Sequence, residues 1–313
     1  MQRAFCSLEG LAVGDAFGEQ YFMNWDTIRH ILTSDERPAP PFNFTDEEFM
    51  ARRVKERRMP FRKTWRWTDD TAMAISIVEN LRDFGEIQPD ELARSFSRKF
   101  QDDPERGYGA AMHKLLPQLQ NSDWSVSQQL FDGEGSWGNG AAMRVAPIGA
   151  YFADDLDAVV ENARRSALVT HAHPEAVAGA IAVALATAFA WRLREKNIDG
   201  KKFIRDIRDF LPESQVREGV TYARGMVHDS DVEEAVAVLG NGENISAFDT
   251  VPFCLWCAAQ HLNNFEEAIW LTLSGLGDRD TTCAIVGGIV AAHTGVEDIP
   301  TFWRESREQL PVL

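Results

Sequence analysis

An all-α fold is what this sequence predicts, and three observations carry the prediction. Apolar residues recur at helical spacing through most of the chain, strand-like alternation bounded by turns is nearly absent, and no Ser/Gly-rich or Pro-rich linker divides it. The segments DELARSFSRKF, LDAVVENARRSALVT, PEAVAGAIAVALATAFAWRL, DVEEAVAVL and NFEEAIWLTLSGL each show the 3.6-residue pattern, several of them opened by Asp, Pro or Asn. Ala176 to Ala190 is apolar nearly all round, which predicts a central helix. No fixed-period repeat suggests a solenoid, so the expected architecture is a single-domain bundle of helices over residues 1–313. The most irregular stretch, Thr33 to Thr64 with Pro38, Pro40, Pro41 and Pro60, reads as an inserted loop within that domain.

Composition narrows the function. A formal charge of −16 argues against general nucleic-acid binding, because phosphate backbones are held chiefly by Lys and Arg. Any anionic ligand must be bound locally. The one basic stretch, Arg52 to Lys63, reads as a solvated helix face. No apolar run approaches the ~20 residues that span a bilayer, and the N-terminus lacks the order of a secretion signal. The expectation is a cytoplasmic monomer without a membrane partner. Of the four cysteines, only Cys254 and Cys257 have metal-like or redox-like spacing. They lack a second pair and read as packed free thiols.

Along the chain, GLAVGDAFGEQYF places Gly10, Gly14 and Gly18 at helical intervals, which suits close helix packing at Gly10 and Gly14. Glu19 follows as a candidate loop carboxylate. WTDDTAMA then sets Thr68, Asp69, Asp70 and Thr71 before a helical run. Helix capping explains one or two of these four, but not adjacent carboxylates preceded by a threonine. GEGSWGNGAAMRVAPIG combines Gly133, Gly135, Gly138 and Gly140 with Ser136, Trp137 and Asn139 and enters a helix at about Ala141. Such a loop can turn backbone N–H groups toward phosphate oxygens.

Near the end, SGLGDRDTTCAIVGG gathers Asp278, Asp280, Thr281 and Thr282 before a small apolar run. The two aspartates are two apart and converge only if Asp278 lies in the loop and Asp280 near the helix start. Gly275 and Gly277 give that loop its freedom. Carboxylates plus hydroxyls without thiolate or imidazole suit Mg²⁺ or Mn²⁺ better than zinc. Brought together, the two clusters would place four carboxylates around one point, which cannot all stay ionised without cations. A two-metal site is therefore expected.

Taken in order, GLAVGDAFG, WTDDTAMA, GNGAAMRVAPIG, VTHAHPEAVAGA and GDRDTTCAIVGGIVAA resemble the ADP-ribosylglycohydrolase family, over about Leu8 to Gly295. The resemblance implies an all-α orthogonal bundle with two Mg²⁺ or Mn²⁺ ions. It implies hydrolysis of the N- or O-glycosidic bond between ADP-ribose and a modified protein side chain, with arginine or serine as the acceptor. It implies Thr68, Asp69 and Asp70 as one half of the metal shell and Asp278, Asp280 and Thr281 as the other. The loop of Ser136, Trp137, Gly138, Asn139 and Gly140 is similar to the family's pyrophosphate cradle, and His171 to its ligand-contacting histidine. By itself His171 would read as a core or capping residue, and His173 as a surface one.

Two departures stand out. Leu276 replaces the first glycine of the family's GGD, and the early glutamate expected at about Phe22 is missing there. Glu19 is one substitute, and the acids of Asp46 to Glu48 are another. In the mechanism this implies, the ions fix the ribose hydroxyls and a water near the anomeric carbon, and Asp69, Asp70 or Glu19 takes the water's proton. Two rivals remain at this point: an ADP-ribose-binding module or catalytically degenerate relative, and a phosphatase reading of Asp278-Arg-Asp280-Thr-Thr282, which would require a preceding β-strand.

Overall fold

The computed structural model describes residues 1–22, 45–194, 196 and 198–313, and among these the regular structure is helical, with no β-sheet. The first half holds α1 (Gln2–Glu19), α2 (Asp46–Lys55), α3 (Asp69–Phe84), α4 (Pro89–Asp102), α5 (Met112–Leu115), α6 (Gly140–Met143), α7 (Ala146–Tyr151) and α8 (Leu156–Leu168). The second holds α9 (Pro174–Arg192), α10 (Gly200–Arg208), α11 (Gln215–Met226), α12 (Val232–Leu239), α13 (Ala247–Gln260), α14 (Phe265–Ser274), α15 (Arg279–Thr294) and α16 (Thr301–Ser306).

The helix starts follow from local chemistry. Asp155, Ser214, Asp231 and Asn264 each accept the backbone N–H three residues on, satisfying a donor that the helix leaves unpaired. Gly85 ends α3 in the left-handed conformation that a side chain resists. The Thr33–Thr64 expectation needs correction. Residues 33–44 lie outside the described residues, but Asp46–Lys55 is a regular helix. Thr45 and Glu48 form a capping box, and acids in the first turn and bases in the last match the helix dipole. The four prolines all fall outside it. Arg53 also departs from a solvated face, being buried with its guanidinium 3.5 Å from the Phe61 ring centre.

The core helix is α9, in which only Val177 and Phe189 of the Ala176–Ala190 stretch escape full burial. With 19 residues it is long and apolar enough to cross a bilayer by length and composition, contrary to the sequence reading. That window is 78% buried inside the protein, where it packs against α7, α8, α13 and α15. Cys254 and Cys257 are buried free thiols, as read from their setting.

One helix pair positions everything that follows. A Cβ added at Gly10 would lie 2.3 Å from the Gly287 carbonyl oxygen, at Gly14 2.1 Å from that of Cys283, and at Gly18 2.3 Å from that of Arg279. The partner falls by four as the glycine rises by four, so α1 and α15 run antiparallel with their backbones in contact. Gly18 belongs to this packing as fully as Gly10 and Gly14 do. At one end of the pair Phe17 stacks on Trp303 at 4.1 Å and meets Trp65 and Trp270 edge-on.

Candidate active site

Asp15 organises the first acidic cluster. It projects from α1 with no exposed surface, and its carboxylate accepts the Thr68 N–H at 2.9 Å, the Thr68 hydroxyl at 2.9 Å, the Thr71 N–H at 3.1 Å and the Thr71 hydroxyl at 2.5 Å. These bonds pin the N-terminus of α3, where Thr68 is the cap and Asp69 and Asp70 are the first helical residues. Burial raises the Asp15 carboxyl to about 6 against the pull of those donors. Sequence reasoning missed Asp15; an acid on the buried side of an otherwise apolar helix was the available signal.

The second cluster arrives from α15. Asp278 caps that helix from the loop, and Asp280 lies in its first turn, the arrangement that convergence requires. Leu276 and Gly277 hold the loop in the left-handed region at φ of 57° and 60°. Leu276 takes that conformation at the steric cost that a side chain imposes there. Asn241 fastens the same loop, accepting the Asp278 N–H through its carbonyl and donating through Nδ2 to the Gly275 carbonyl.

The structure brings the two clusters together. Burial, then Asp15 and Asp278, raise Asp69 to about 8. Asp70 is also pushed well up, by burial first and then by Asp15, Asp69 and Asp278, and Asp280 by burial and then by Asp278, Asp70 and Asp15. Thr281 is buried beside them and donates its N–H to Asp280 Oδ1 at 2.9 Å. Glu19 sits one helical turn beyond Asp15, is partly exposed, and is raised to about 7 by burial and by Asp15, against Arg62 and Arg66. Of the alternative acids, Glu48 is engaged in its capping box and Glu47 stands 3.9 Å from Arg279.

The glycine loop closes the other side. Asn139 Nδ2 donates to Asp278 Oδ2 at 2.7 Å and to the Thr250 hydroxyl at 3.1 Å, tying the loop to the second cluster. Gly138 N–H is already bonded to the Ser136 hydroxyl and Asn139 N–H to the Ile245 carbonyl. The following helix, α6, has four residues. The expected cradle of free N–H groups at a long helix start is therefore narrower than the sequence suggests. Trp137 is exposed, with Phe131 5.5 Å away, also exposed. His171 is buried against Gly138 and Gly140, whose added Cβ atoms would fall 3.2 and 2.9 Å from its Nε2. His173, read as a surface residue, is half-buried and accepts the Glu175 N–H at the start of α9. A cavity of about 1090 Å³ opens from Asp278 and runs between α2, α12 and α14, past Met50, Val236 and Trp270.

Among the described residues, no three Asp, Glu, His or Cys side chains close on a single ion as they stand. The chemistry of the site nevertheless fits divalent cations. Asp70 Oδ1 is buried without a hydrogen-bond partner. The Thr68 hydroxyl, with one proton, lies 2.9 and 3.0 Å from two carboxylate oxygens, Asp15 Oδ1 and Asp70 Oδ2. Hard oxygens, surplus negative charge and an orphaned acceptor are what Mg²⁺ or Mn²⁺ would satisfy.

An all-helical bundle that packs two aspartate clusters against one another beneath a glycine loop belongs to a narrow class of hydrolase-like folds, and comparison with known proteins specifies it. The ADP-ribosylglycohydrolase family model matches residues 1–312; the chain belongs to that family and is an ADP-ribosyl hydrolase. ADP-ribosylhydrolase ARH3 of Mus musculus is 29% identical, over 96% of this chain and 86% of its own. ADP-ribosylarginine hydrolase Tri1 of Serratia proteamaculans is 22% identical, over 99% of this chain and 76% of its own. A solved ADP-ribosylglycohydrolase-related protein complex shares the fold with a TM-score of 0.65 and 24% identity, covering 96% of this chain and 90% of that one. The phosphatase reading falls, because α14 and not a strand precedes Asp278.

Proposed function

We propose that the chain reverses mono-ADP-ribosylation by hydrolysing the glycosidic bond between ADP-ribose and an arginine or serine side chain, with two Mg²⁺ or Mn²⁺ ions at the acidic centre. The observation that supports this most is the meeting of the 68–70 and 278–281 clusters beside Asn139 and the glycine loop. Thr68, Asp69, Asp70, Asp278, Asp280 and Thr281 would hold the ions, which when bound supply electrophilic attachment of the ribose hydroxyls and a polarised water.

The chain's own residues divide the remaining tasks. Asp15 fixes Thr68 and Thr71, so Asp69 and Asp70 project from a rigid helix start. Their carboxylates stabilise the positive charge that develops at the anomeric carbon as the bond breaks. Ligand duty ties up Asp69 and Asp70, which leaves Glu19, poised near neutrality, as the base that takes the water's proton. The Ser136–Gly140 loop takes the pyrophosphate, His171 donates to it, and the Trp137 and Phe131 rings offer the adenine a stacking face. One relative is named an ADP-ribosylarginine hydrolase, which supports arginine as the first linkage to assay.

The deciding assay is release of free ADP-ribose from mono-ADP-ribosylated arginine and serine substrates with Mg²⁺, Mn²⁺ or EDTA. Release that EDTA suppresses is expected from one of the two linkages. Undiminished release in EDTA would remove the ions from the mechanism, and no release from either substrate would remove the linkage. Asp69→Ala and Asp280→Ala should each lower turnover by about a thousandfold or more with the helical circular dichroism unchanged.

A further inference from the structure

We propose that buried Arg144 and Thr170 are positioning residues that lock His171 as its Nε2–H tautomer, presenting that N–H to an anionic oxygen of the ligand on the glycine loop. The inference rests on the reading of that loop as the pyrophosphate seat. It takes up two residues from the GNGAAMRVAPIG and VTHAHPEAVAGA motifs that the mechanism above does not use.

Arg144 has no exposed surface and, among the described residues, no carboxylate hydrogen-bonded to it. Its Nη2 donates to the Ser166 carbonyl and to the Thr170 hydroxyl, both at 2.8 Å, and its guanidinium lies 4.5 Å from the Phe96 ring centre. A guanidinium can only donate, so Thr170 Oγ1 accepts from it. The hydroxyl keeps one proton, and His171 Nδ1 stands 2.7 Å away. Were Nδ1 protonated, the Thr170 proton would be buried without an acceptor, at a cost of about 1 to 3 kcal/mol. The arrangement that satisfies both the Thr170 hydroxyl and His171 Nδ1 runs from Arg144 to Thr170 to Nδ1, and the ring's one proton is then on Nε2.

That nitrogen has no hydrogen-bond partner among the described residues, although the residue is 5% exposed. It faces Gly138 and Gly140, where a Cβ would intrude to 3.2 and 2.9 Å, so bare backbone keeps the space beside it open. Burial and then the Arg144 charge hold the imidazole neutral, with its pKa lowered to about 3. His171 is therefore a fixed neutral donor, not a titrating one, and Arg144 sets its direction without touching the ligand.

The test reads the imidazole nitrogens of the full chain by ¹⁵N NMR, with His171 assigned by its loss in His171→Asn, alongside ADP-ribose binding by calorimetry. The wild-type chain should show an unprotonated Nδ1 and a protonated Nε2. Thr170→Val, close in shape but without the hydroxyl, should admit the Nδ1–H form and weaken ADP-ribose binding about tenfold. Thr170→Ser should restore both. A protonated Nδ1 in the wild-type chain overturns the proposal whether or not the variants fold. So does a Thr170→Val chain with the wild-type tautomer and affinity. An Nε2–H tautomer in a wild-type chain that binds no ADP-ribose would instead fault the pyrophosphate reading and leave the relay standing.

Discussion

Glu19 closes α1 with Asp15 one turn behind it and Arg62 and Arg66 as its nearest opposing charges. Burial and Asp15 win, and the carboxyl is raised to about 7. A base must be ionised to act, so kcat/KM, which reports the free enzyme, should rise with pH through about 7, and Glu19→Gln should lose that limb along with most of the rate. The linkage to stability has the opposite sign. A raised carboxyl favours the protonated folded state, so its contribution is full below about 4.5 and is lost as pH rises through about 7. Urea midpoints of the wild type and Glu19→Gln should therefore agree at the acid end of that window and separate as pH rises through about 7, with the wild type falling below the variant. A pH-independent kcat/KM in the wild type would assign the base elsewhere. The sequence offered Glu19 as a loop carboxylate because it follows Gly18, and the structure instead makes it the last residue of α1. Asp15 and Arg144 were not legible, because single charges in apolar runs gain meaning only when the partners that neutralise or orient them come from α3 and α8.

The α1–α15 pair is the element on which the site's geometry depends, since Asp15 is on one helix and Asp280 on the other. Their separation is set by glycines, and Gly14 tolerates no added atom, with Cys283 O at 2.1 Å. Gly14→Ala should cost about 3 kcal/mol by overpacking and spread the two acidic clusters apart, lowering kcat as well as the urea midpoint. Gly225→Ala is the contrast: it lies inside α11 with nothing within 4 Å, so removing backbone freedom there should stabilise by about 0.5 to 1 kcal/mol. Equal effects at the two positions would refute the packing argument. The four-residue spacing pointed to close packing at Gly10 and Gly14, but neither α15 as the partner nor Gly18 as part of the contact was readable from the sequence, and α2 was obscured. Its surrounding prolines drew attention away from the capping box of Thr45 and Glu48, whose local hydrogen bonds decide the structure.

For the whole molecule, helical periodicity was enough to predict an all-α bundle with α9 at its centre, because burial of an apolar stripe is a repeating signal spread over many residues. The narrow seat at the glycine loop was not predictable, because it depends on the bond from Asn139 to Ile245, a residue far away in sequence, as well as on the local bond from Gly138 to Ser136. The same distinction governs how stability should respond to ions. The core favours folding uniformly, but it brings Asp15, Asp69, Asp70, Asp278 and Asp280 into mutual repulsion at one place. A cation present at a hundred times its Kd would add about 2.7 kcal/mol and raise Tm by roughly 4 °C. Asp70→Asn should therefore have effects of opposite sign. With EDTA, removing one buried charge should raise Tm above the wild type; with Mg²⁺ or Mn²⁺, it should abolish most of the ion-induced gain and leave the variant below the wild type. An Asp70→Asn chain that shifts in the same direction under both conditions would show that the carboxylate acts in the fold alone and not in holding a cation.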